Sequence, residues 1–213
     1  MLRRIRGLCG RLWPVLLALL YLHAIHAAPA PTIVVLGDSL SAAYGIRVEE
    51  GWVSLLQKRL TSQGYGYRVV NASVSGETTA GGLARLPRAL ELHRPVIVIL
   101  ELGGNDGLRG LSLEQMRANL DSMIRQSKSA GASVLLAGMR VPPNYGPTYA
   151  QKFHALFADL ARRYRVPLVP FLMEEVALDK ALMQADGIHP NARGQPVLLD
   201  EIWPLLTPLL RRS

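Results

Sequence analysis

Short apolar runs alternate with amphipathic segments along most of the chain. The runs are rich in Val, Ile and Leu and are bounded by turn-forming residues, so they predict strands that are buried on both faces of a sheet. Five such runs occur, at residues 32–36, 68–74, 96–102, 133–137 and 166–170. The apolar pattern therefore predicts a five-stranded sheet.

The segments between the runs carry apolar residues at every third or fourth position, which is typical of α-helices with one buried face. Ser112 followed by Gln115 is a capping signal for one of these helices. The last helix begins near Gln195, and Pro204 and Pro208 should kink or shorten it. Helices between successive strands predict an α/β fold: a single three-layer α/β/α domain over residues 31–213, with a parallel sheet in the middle layer.

The first 27 residues have a different composition. Four arginines, at positions 3, 4, 6 and 11, precede an uncharged apolar run over residues 12–22 and then small residues. This layout predicts a signal peptide over residues 1–27, cleaved between about residues 27 and 30, because so short a run spans a bilayer poorly. An uncleaved membrane anchor is the alternative. The signal peptide implies a periplasmic or secreted bacterial protein with no stable membrane span after cleavage.

Removal of this segment changes the charge and the cysteine content. The net charge falls from +8 to +4, because the segment holds four of the 24 basic residues and none of the 16 acidic ones. No block of five or more Lys or Arg residues occurs, so a nucleic-acid partner is not expected. The only cysteine, Cys9, also lies in the segment, so the mature chain forms no disulfide.

Small polar groups follow the first three predicted strands. The sequences are GDSLS from Gly37, NASVSGETT from Asn71 and LELGGNDG from Leu100. Ligands of parallel α/β sheets bind beyond the carboxyl ends of the strands, so we expect these groups to meet at one edge of the sheet. An ordinary glycine turn is the alternative for any one of them alone.

Ser39 lies in the first of these segments and is a candidate nucleophile. A serine hydroxyl needs a histidine that accepts its proton and, ideally, a carboxylate that orients the histidine. His93 and His154 lie in predicted helices, whereas His189 lies in a loop after the last strand, three residues beyond Asp186. We therefore expect His189 to be the base and Asp186 its partner. A capped loop before the last helix is the alternative for this pair.

The segments GDSLS, SVSGETT, GGNDG and DGIHPN occur in the order and at the spacing of one known family. The sequence resembles the SGNH or GDSL hydrolases over nearly the whole mature chain, and the resemblance implies their flavodoxin-like fold. It implies that Ser39 is the nucleophile, His189 the general base and then acid, and Asp186 the orienting carboxylate. It also implies an oxyanion hole made by the backbone N–H groups of Ser39 and Gly76 and the side-chain amide of Asn105.

Further residues near the site are candidates for supporting roles. Asp38 is expected to bond backbone groups near the nucleophile, and a plain turn-forming aspartate is an equal alternative. Leu108, Pro142 and Tyr145 lie in apolar stretches beside the site and are candidates for binding an acyl chain. Packing beneath the loops is the alternative for such residues.

The resemblance implies a serine acyl-hydrolase that cleaves long-chain acyl thioesters, lysophospholipids and aryl esters through an acyl-enzyme intermediate. The expected partner is such a small-molecule substrate, and we expect a monomer with no metal and no cofactor. Two alternatives stay open. One is an esterase of the same fold that deacetylates carbohydrates, and the other is a catalytically silent protein that binds lipids or glycans.

Overall fold

Strands and helices alternate through residues 30–212, the part of the chain that the computed structural model describes. The predicted signal peptide over residues 1–27 lies outside the described residues. The strands are β1 (Thr32–Gly37), β2 (Arg68–Asn71), β3 (Ile97–Glu101), β4 (Ser133–Ala137) and β5 (Leu168–Val169). The α-helices are α1 (Trp52–Ser62), α2 (Thr79–His93), α3 (Gly104–Leu108), α4 (Leu113–Ser129), α5 (Pro147–Tyr164) and α6 (Gln195–Leu206).

The five strands form one sheet in the order β2-β1-β3-β4-β5, and every neighbouring pair is parallel. The prediction of a five-stranded parallel sheet is confirmed. The chain moves outward from β1 in one direction to β2 and in the other to β3, so the strand order reverses beside β1. Crevices at such a reversal, beyond the carboxyl ends of the strands, are the usual ligand sites of open α/β sheets.

Alternate residues of the central strands face opposite layers. Ile33 and Val35 of β1 belong to a buried core that includes α1 and α6, whereas Leu36 belongs to a second core with α2, α4 and α5. In β3, Ile99 faces the first core and Leu100 the second. This alternation is the period of two of a β-strand, and it gives the sheet a helical layer on each face, as predicted.

Two strands differ from the prediction. β2 is an edge strand with both end residues exposed, so the expectation that it is buried on both faces was wrong. It ends at Asn71, three residues early, because the Asn71 side chain accepts the Ser73 N–H at 3.1 Å and donates to the Ser41 carbonyl at 2.7 Å. β5 is only two residues long, since Pro167 and Pro170 flank it and lack the N–H that a ladder needs.

Two helices contain residues that often end helices. Pro87 lies inside α2, and a Cβ atom on Gly82 of that helix would lie 2.3 Å from a methyl group of Leu102. The glycine therefore permits α2 to pack closely on the end of β3. Pro204 lies inside α6, which ends at Leu206 and continues as a 3-10 turn over Thr207–Leu209, in agreement with the predicted shortening.

Candidate active site

Ser39, His189 and Asp186 lie in a line of hydrogen-bonding contacts at the carboxyl edge of the sheet. Ser39 is the second residue after β1, and its Oγ lies 2.9 Å from His189 Nε2. His189 Nδ1 lies 2.6 Å from Asp186 Oδ2. Although 150 residues separate the serine from the histidine, the structure brings together the three side chains that the sequence indicated.

Asp186 also holds the loop that carries His189. Its Oδ1 accepts the N–H groups of Ile188 at 2.9 Å and of His189 at 3.0 Å. The bond to the His189 ring, followed by these backbone bonds, lowers the pKa of Asp186 to about 2. The carboxylate is therefore ionised at neutral pH, and it favours the tautomer that carries the proton on Nδ1 and leaves Nε2 free to accept one.

Tyr44 and Gln184 support the histidine and were missed in the sequence. The Tyr44 ring lies 4.6 Å from the His189 ring, centroid to centroid, at an angle of 42°. Gln184 Nε2 donates to the Tyr44 carbonyl at 2.8 Å and to the Pro190 carbonyl at 3.0 Å, which joins the turn after β1 to the histidine loop. An aromatic residue five positions after the serine was the only sequence signal for this contact.

Gly76 lies five residues after the end of β2 and Asn105 four residues after the end of β3, the two strands beside β1. Gly76 has φ +77°, a left-handed conformation that suits glycine, and its carbonyl accepts a hydrogen bond from Arg109 Nη2 at 2.9 Å. Asn105, in α3, donates from Nδ2 to Asp38 Oδ2 and to the Glu77 carbonyl, each at 3.0 Å. The sequence-predicted donors are thus held in place by neighbouring segments of the same edge.

Two buried carboxyl groups lie beneath the turn that carries Ser39. Asp38 Oδ1 accepts the Leu40 N–H at 3.1 Å, a contact that both the supporting role and the plain turn-forming aspartate predict. Glu101 Oε2 accepts the Asp38 N–H at 3.2 Å and the Ser41 hydroxyl. Burial raises the pKa of Asp38 to about 6, and burial together with the charge of Asp38 raises the pKa of Glu101 well above its usual value.

A mostly apolar cavity of about 680 Å³ opens beside Ser39, Asn105 and His189. Leu108 and Pro142 line it, as the sequence suggested, but Tyr145 lies outside this lining and its hydroxyl donates to the Leu108 carbonyl at 2.6 Å. Tyr145 therefore supports the wall from behind. Most of the apolar lining comes from the segments after β4 and β5, with Met139, Val141, Phe171, Leu172, Met173, Ala177, Leu178 and Met183.

Residues 30–212 lack the features of two other kinds of site. Within that range, no group of three or more His, Cys, Asp or Glu side chains is arranged to hold a metal ion. Nor does that range contain a helix both long and apolar enough to cross a membrane.

Residues 35–197 match the model of the GDSL-like lipase/acylhydrolase family. The chain belongs to this family. The matched range contains Ser39, Gly76, Asn105, Asp186 and His189, and the resemblance seen in the sequence is confirmed. The family is one of lipases and acylhydrolases, so this GDSL family member is an ester hydrolase.

Similar proteins are found among curated sequences and solved structures. The chain is 53% identical to esterase TesA of Pseudomonas aeruginosa over 86% of this chain and 91% of that protein. It is 44% identical to the thioesterase 1/protease 1/lysophospholipase L1 of Escherichia coli K12, over 94% of this chain and 95% of that protein. A similar solved structure is that of the psychrotrophic esterase EstA from Pseudoalteromonas sp., inhibited by monoethylphosphonate. It superposes on this chain with a TM-score of 0.80 at 42% identity, and the match covers 83% of this chain and 97% of EstA.

Proposed function

We propose that this GDSL family member is a serine acyl-hydrolase with Ser39 as nucleophile, His189 as general base and acid, and Asp186 as the orienting carboxylate. One observation carries the proposal: Ser39 Oγ and Asp186 Oδ2 contact opposite nitrogens of the same imidazole, at 2.9 and 2.6 Å. This arrangement matches the roles that acyl transfer by serine requires. The phosphonate inhibition of EstA, a related esterase, is consistent with it.

The reaction proceeds in two halves. Ser39 Oγ forms a bond to the acyl carbon while its proton moves to His189 Nε2, and His189 then gives this proton to the leaving oxygen or sulfur as the bond to the acyl carbon breaks. Water repeats the sequence on the acyl-enzyme: its proton moves to His189, its oxygen bonds the acyl carbon, and the proton returns to Ser39 Oγ as the acid leaves. No cofactor takes part in this chemistry.

The negative oxygen of each tetrahedral intermediate is stabilised by the backbone N–H groups of Ser39 and Gly76 and by the amide of Asn105. Fixed donors at such a position act mainly on the transition state, where the charge has developed. Asn105 Nδ2 donates a hydrogen bond to this negative oxygen, either in addition to its bond to the Glu77 carbonyl or in place of it. Its bond to Asp38 keeps the amide oriented.

The apolar cavity binds the acyl chain of the substrate, with Leu108 and Pro142 in its wall and Tyr145 holding Leu108 from behind. A volume of about 680 Å³ is in the range of pockets that bind molecules much larger than an acetyl group. Together with the names of the relatives, this supports hydrolysis of long-chain acyl thioesters, lysophospholipids and aryl esters by one site.

A chain-length series tests the function. We expect hydrolysis of p-nitrophenyl esters from acetyl to palmitoyl, of one lysophospholipid and of one acyl-CoA, with kcat/KM rising beyond acetyl. Ser39→Ala should abolish turnover without loss of folding, whereas Ser133→Ala, an exposed serine at the opposite end of the sheet, should not change it. Activity on acetylated glycans alone would instead indicate the carbohydrate esterase, and no labelling by a phosphonate would indicate a silent binding protein.

We also propose that the protein is exported. Residues 1–27 act as a signal peptide, and the mature enzyme works as a monomer in the periplasm or outside the cell. N-terminal sequencing of the protein recovered from the periplasm of an expressing bacterium should show a start between residues 28 and 31. A full-length N-terminus in the membrane fraction would contradict this part of the proposal alone.

A further inference from the structure

Glu101 is a fully buried acidic residue that the reaction does not use directly. It ends β3, where its backbone pairs with Gly37 of β1, and its side chain lies under the turn that begins at Asp38. A Cβ atom on Gly37 would lie 2.4 Å from Glu101 Oε2. The carboxyl group is therefore packed directly against the backbone that leads to the nucleophile.

The contacts of Glu101 link it to the proposed nucleophile and to a proposed oxyanion donor. Its Oε2 accepts the N–H of Asp38, the residue before Ser39, and the hydroxyl of Ser41. Asp38 in turn bonds the amide of Asn105. The chain of contacts thus fixes two groups that must act on one carbonyl, the hydroxyl of Ser39 and the amide of Asn105.

We propose that Glu101 is a positioning residue of the active site, which acts as an uncharged carboxylic acid and anchors the nucleophile turn through its bonds to Asp38 N–H and the Ser41 hydroxyl. The inference rests on the proposed roles of Ser39 and Asn105. Glu101 touches neither substrate nor the reacting atoms. It acts through Asp38, whose backbone and carboxylate lie between it and the site.

Burial and neighbouring charge favour the uncharged form. Glu101 Oε1 is buried and has no hydrogen-bond partner among the described residues, which would leave an ionised carboxylate poorly solvated. Two carboxylates this close do not both ionise readily. Each carboxyl oxygen of Asp38 accepts a donor, Leu40 N–H on Oδ1 and Asn105 Nδ2 on Oδ2, whereas both donors to Glu101 share Oε2. The charge therefore resides on Asp38 and the proton on Glu101. The raised pKa of Glu101 agrees with this assignment.

A pair of substitutions at Glu101 tests the anchor and its charge. Glu101→Leu removes the acceptor, and kcat should fall on the order of 10- to 100-fold with KM within a few-fold, because a small misplacement of reacting groups has effects of this size. Glu101→Gln keeps an uncharged acceptor at the same place, and kcat should recover to within about threefold of wild type. If Gln lost as much activity as Leu, the charge would matter and the proposal would be wrong.

A second pair of variants covers the case in which Glu101→Leu fails to fold. Ser41→Ala removes one of the two bonds to Glu101 and should lower kcat about two- to tenfold, the equivalent of one ordinary hydrogen bond. Ser127→Ala is the matched control, because this serine is also buried but its hydroxyl has no partner among the described residues. Equal kcat values for the two serine variants would contradict the proposal that Glu101 anchors the nucleophile turn through Ser41.

Two measurements separate a positioning role from a structural one. Melting temperature should be recorded beside kcat and KM, and the rate of covalent labelling by a fluorophosphonate should fall in parallel with kcat. Normal kcat in a folded Glu101→Leu variant, with only a lower melting temperature, would reduce Glu101 to a packing residue. Failure of wild type to be labelled while Ser39→Ala retains turnover would instead contradict the proposed function itself.

Discussion

Asn105 Nδ2 donates a hydrogen bond of 3.0 Å to Asp38 Oδ2, so a buried carboxylate holds the amide that we propose as an oxyanion donor. The two residues are 67 positions apart in sequence and meet where β1 and β3 end side by side. Under this proposal Asn105 acts mainly on the transition state, whereas its bond to Asp38 contributes to the folded state, and a substitution separates the two effects.

Asn105→Ala should lower kcat on the order of 10²–10³ and leave KM within a few-fold, because the lost donor acts where charge develops. Stability should fall moderately, by about 1–3 kcal/mol, since Asp38 loses a buried partner. Steady-state kinetics and thermal melting on one preparation measure both effects. Asn144→Ala, at an exposed position, is the control. A clear loss of melting temperature with normal kcat would assign Asn105 to the turn alone.

Asp186→Asn should lower kcat by about 10²–10⁴. An amide in place of the carboxylate can present its NH₂ group to the His189 ring and favour the wrong tautomer, and it no longer stabilises the imidazolium that forms during attack. Asp179→Asn is a matched control, because Asp179 is exposed in the same part of the chain and its carboxylate accepts, among the described residues, only the Ala181 N–H, at 2.8 Å. Similar kcat values for the two variants would remove Asp186 from the catalytic group.

The sequence predicted the fold because the strands that set the topology are short, apolar and clearly bounded. It also predicted which side chains meet, since residues that follow parallel strands must reach one edge of the sheet. It placed His93 in a helix but did not give the extent of α2, because Gly81, Gly82 and Pro87 mask the helical pattern. The prediction that β2 is buried on both faces was wrong, because the sequence does not show which strand lies at an edge of the sheet.

The supporting residues of the site could not be read from the sequence for a similar reason. Glu101 is a single acid at the end of an apolar run, and such a residue is usually solvated at a strand end. Its burial depends on the packing of β3 against β1. The contact of Tyr44 with His189 likewise depends on how the last loop folds back, which local patterns do not determine.

Asp38 should make folding stability depend on pH in an unusual direction. Its pKa is about 6 in the folded state, against 3.8 normally, so between these values the folded state keeps a proton that the unfolded state has lost. Wild type should therefore lose stability relative to Asp38→Asn as the pH rises from about 4 to 6, by at most about 3 kcal/mol.

Urea unfolding of both proteins across this range measures the difference. Carboxylates remote from Asp38 cancel because both proteins contain them, and Glu101, whose pKa the charge of Asp38 raises, can only add to the difference in the same direction. The pH dependence of stability that Asp186 causes has the opposite sign. The pKa of Asp186 is lowered to about 2, so its contribution to stability is lost as the pH falls from about 4 to 2, outside the range between pH 4 and 6. A difference in stability that stayed constant between pH 4 and 6 would show that Asp38 titrates normally.

The apolar cavity should set the preference for acyl-chain length. Ala177 lines the cavity, and Ala177→Trp places a large ring inside it. Each methylene group excluded from the cavity loses about 0.8 kcal/mol of burial, so displacement of two or three of them should lower kcat/KM for palmitoyl esters about 10- to 60-fold while acetyl esters stay near wild type. Ala181→Trp is the size-matched control, since Ala181 is exposed nearby and lies outside the lining. Parallel losses for acetyl and palmitoyl esters in Ala177→Trp, or an unchanged ratio of the two, would mean that the acyl chain binds elsewhere.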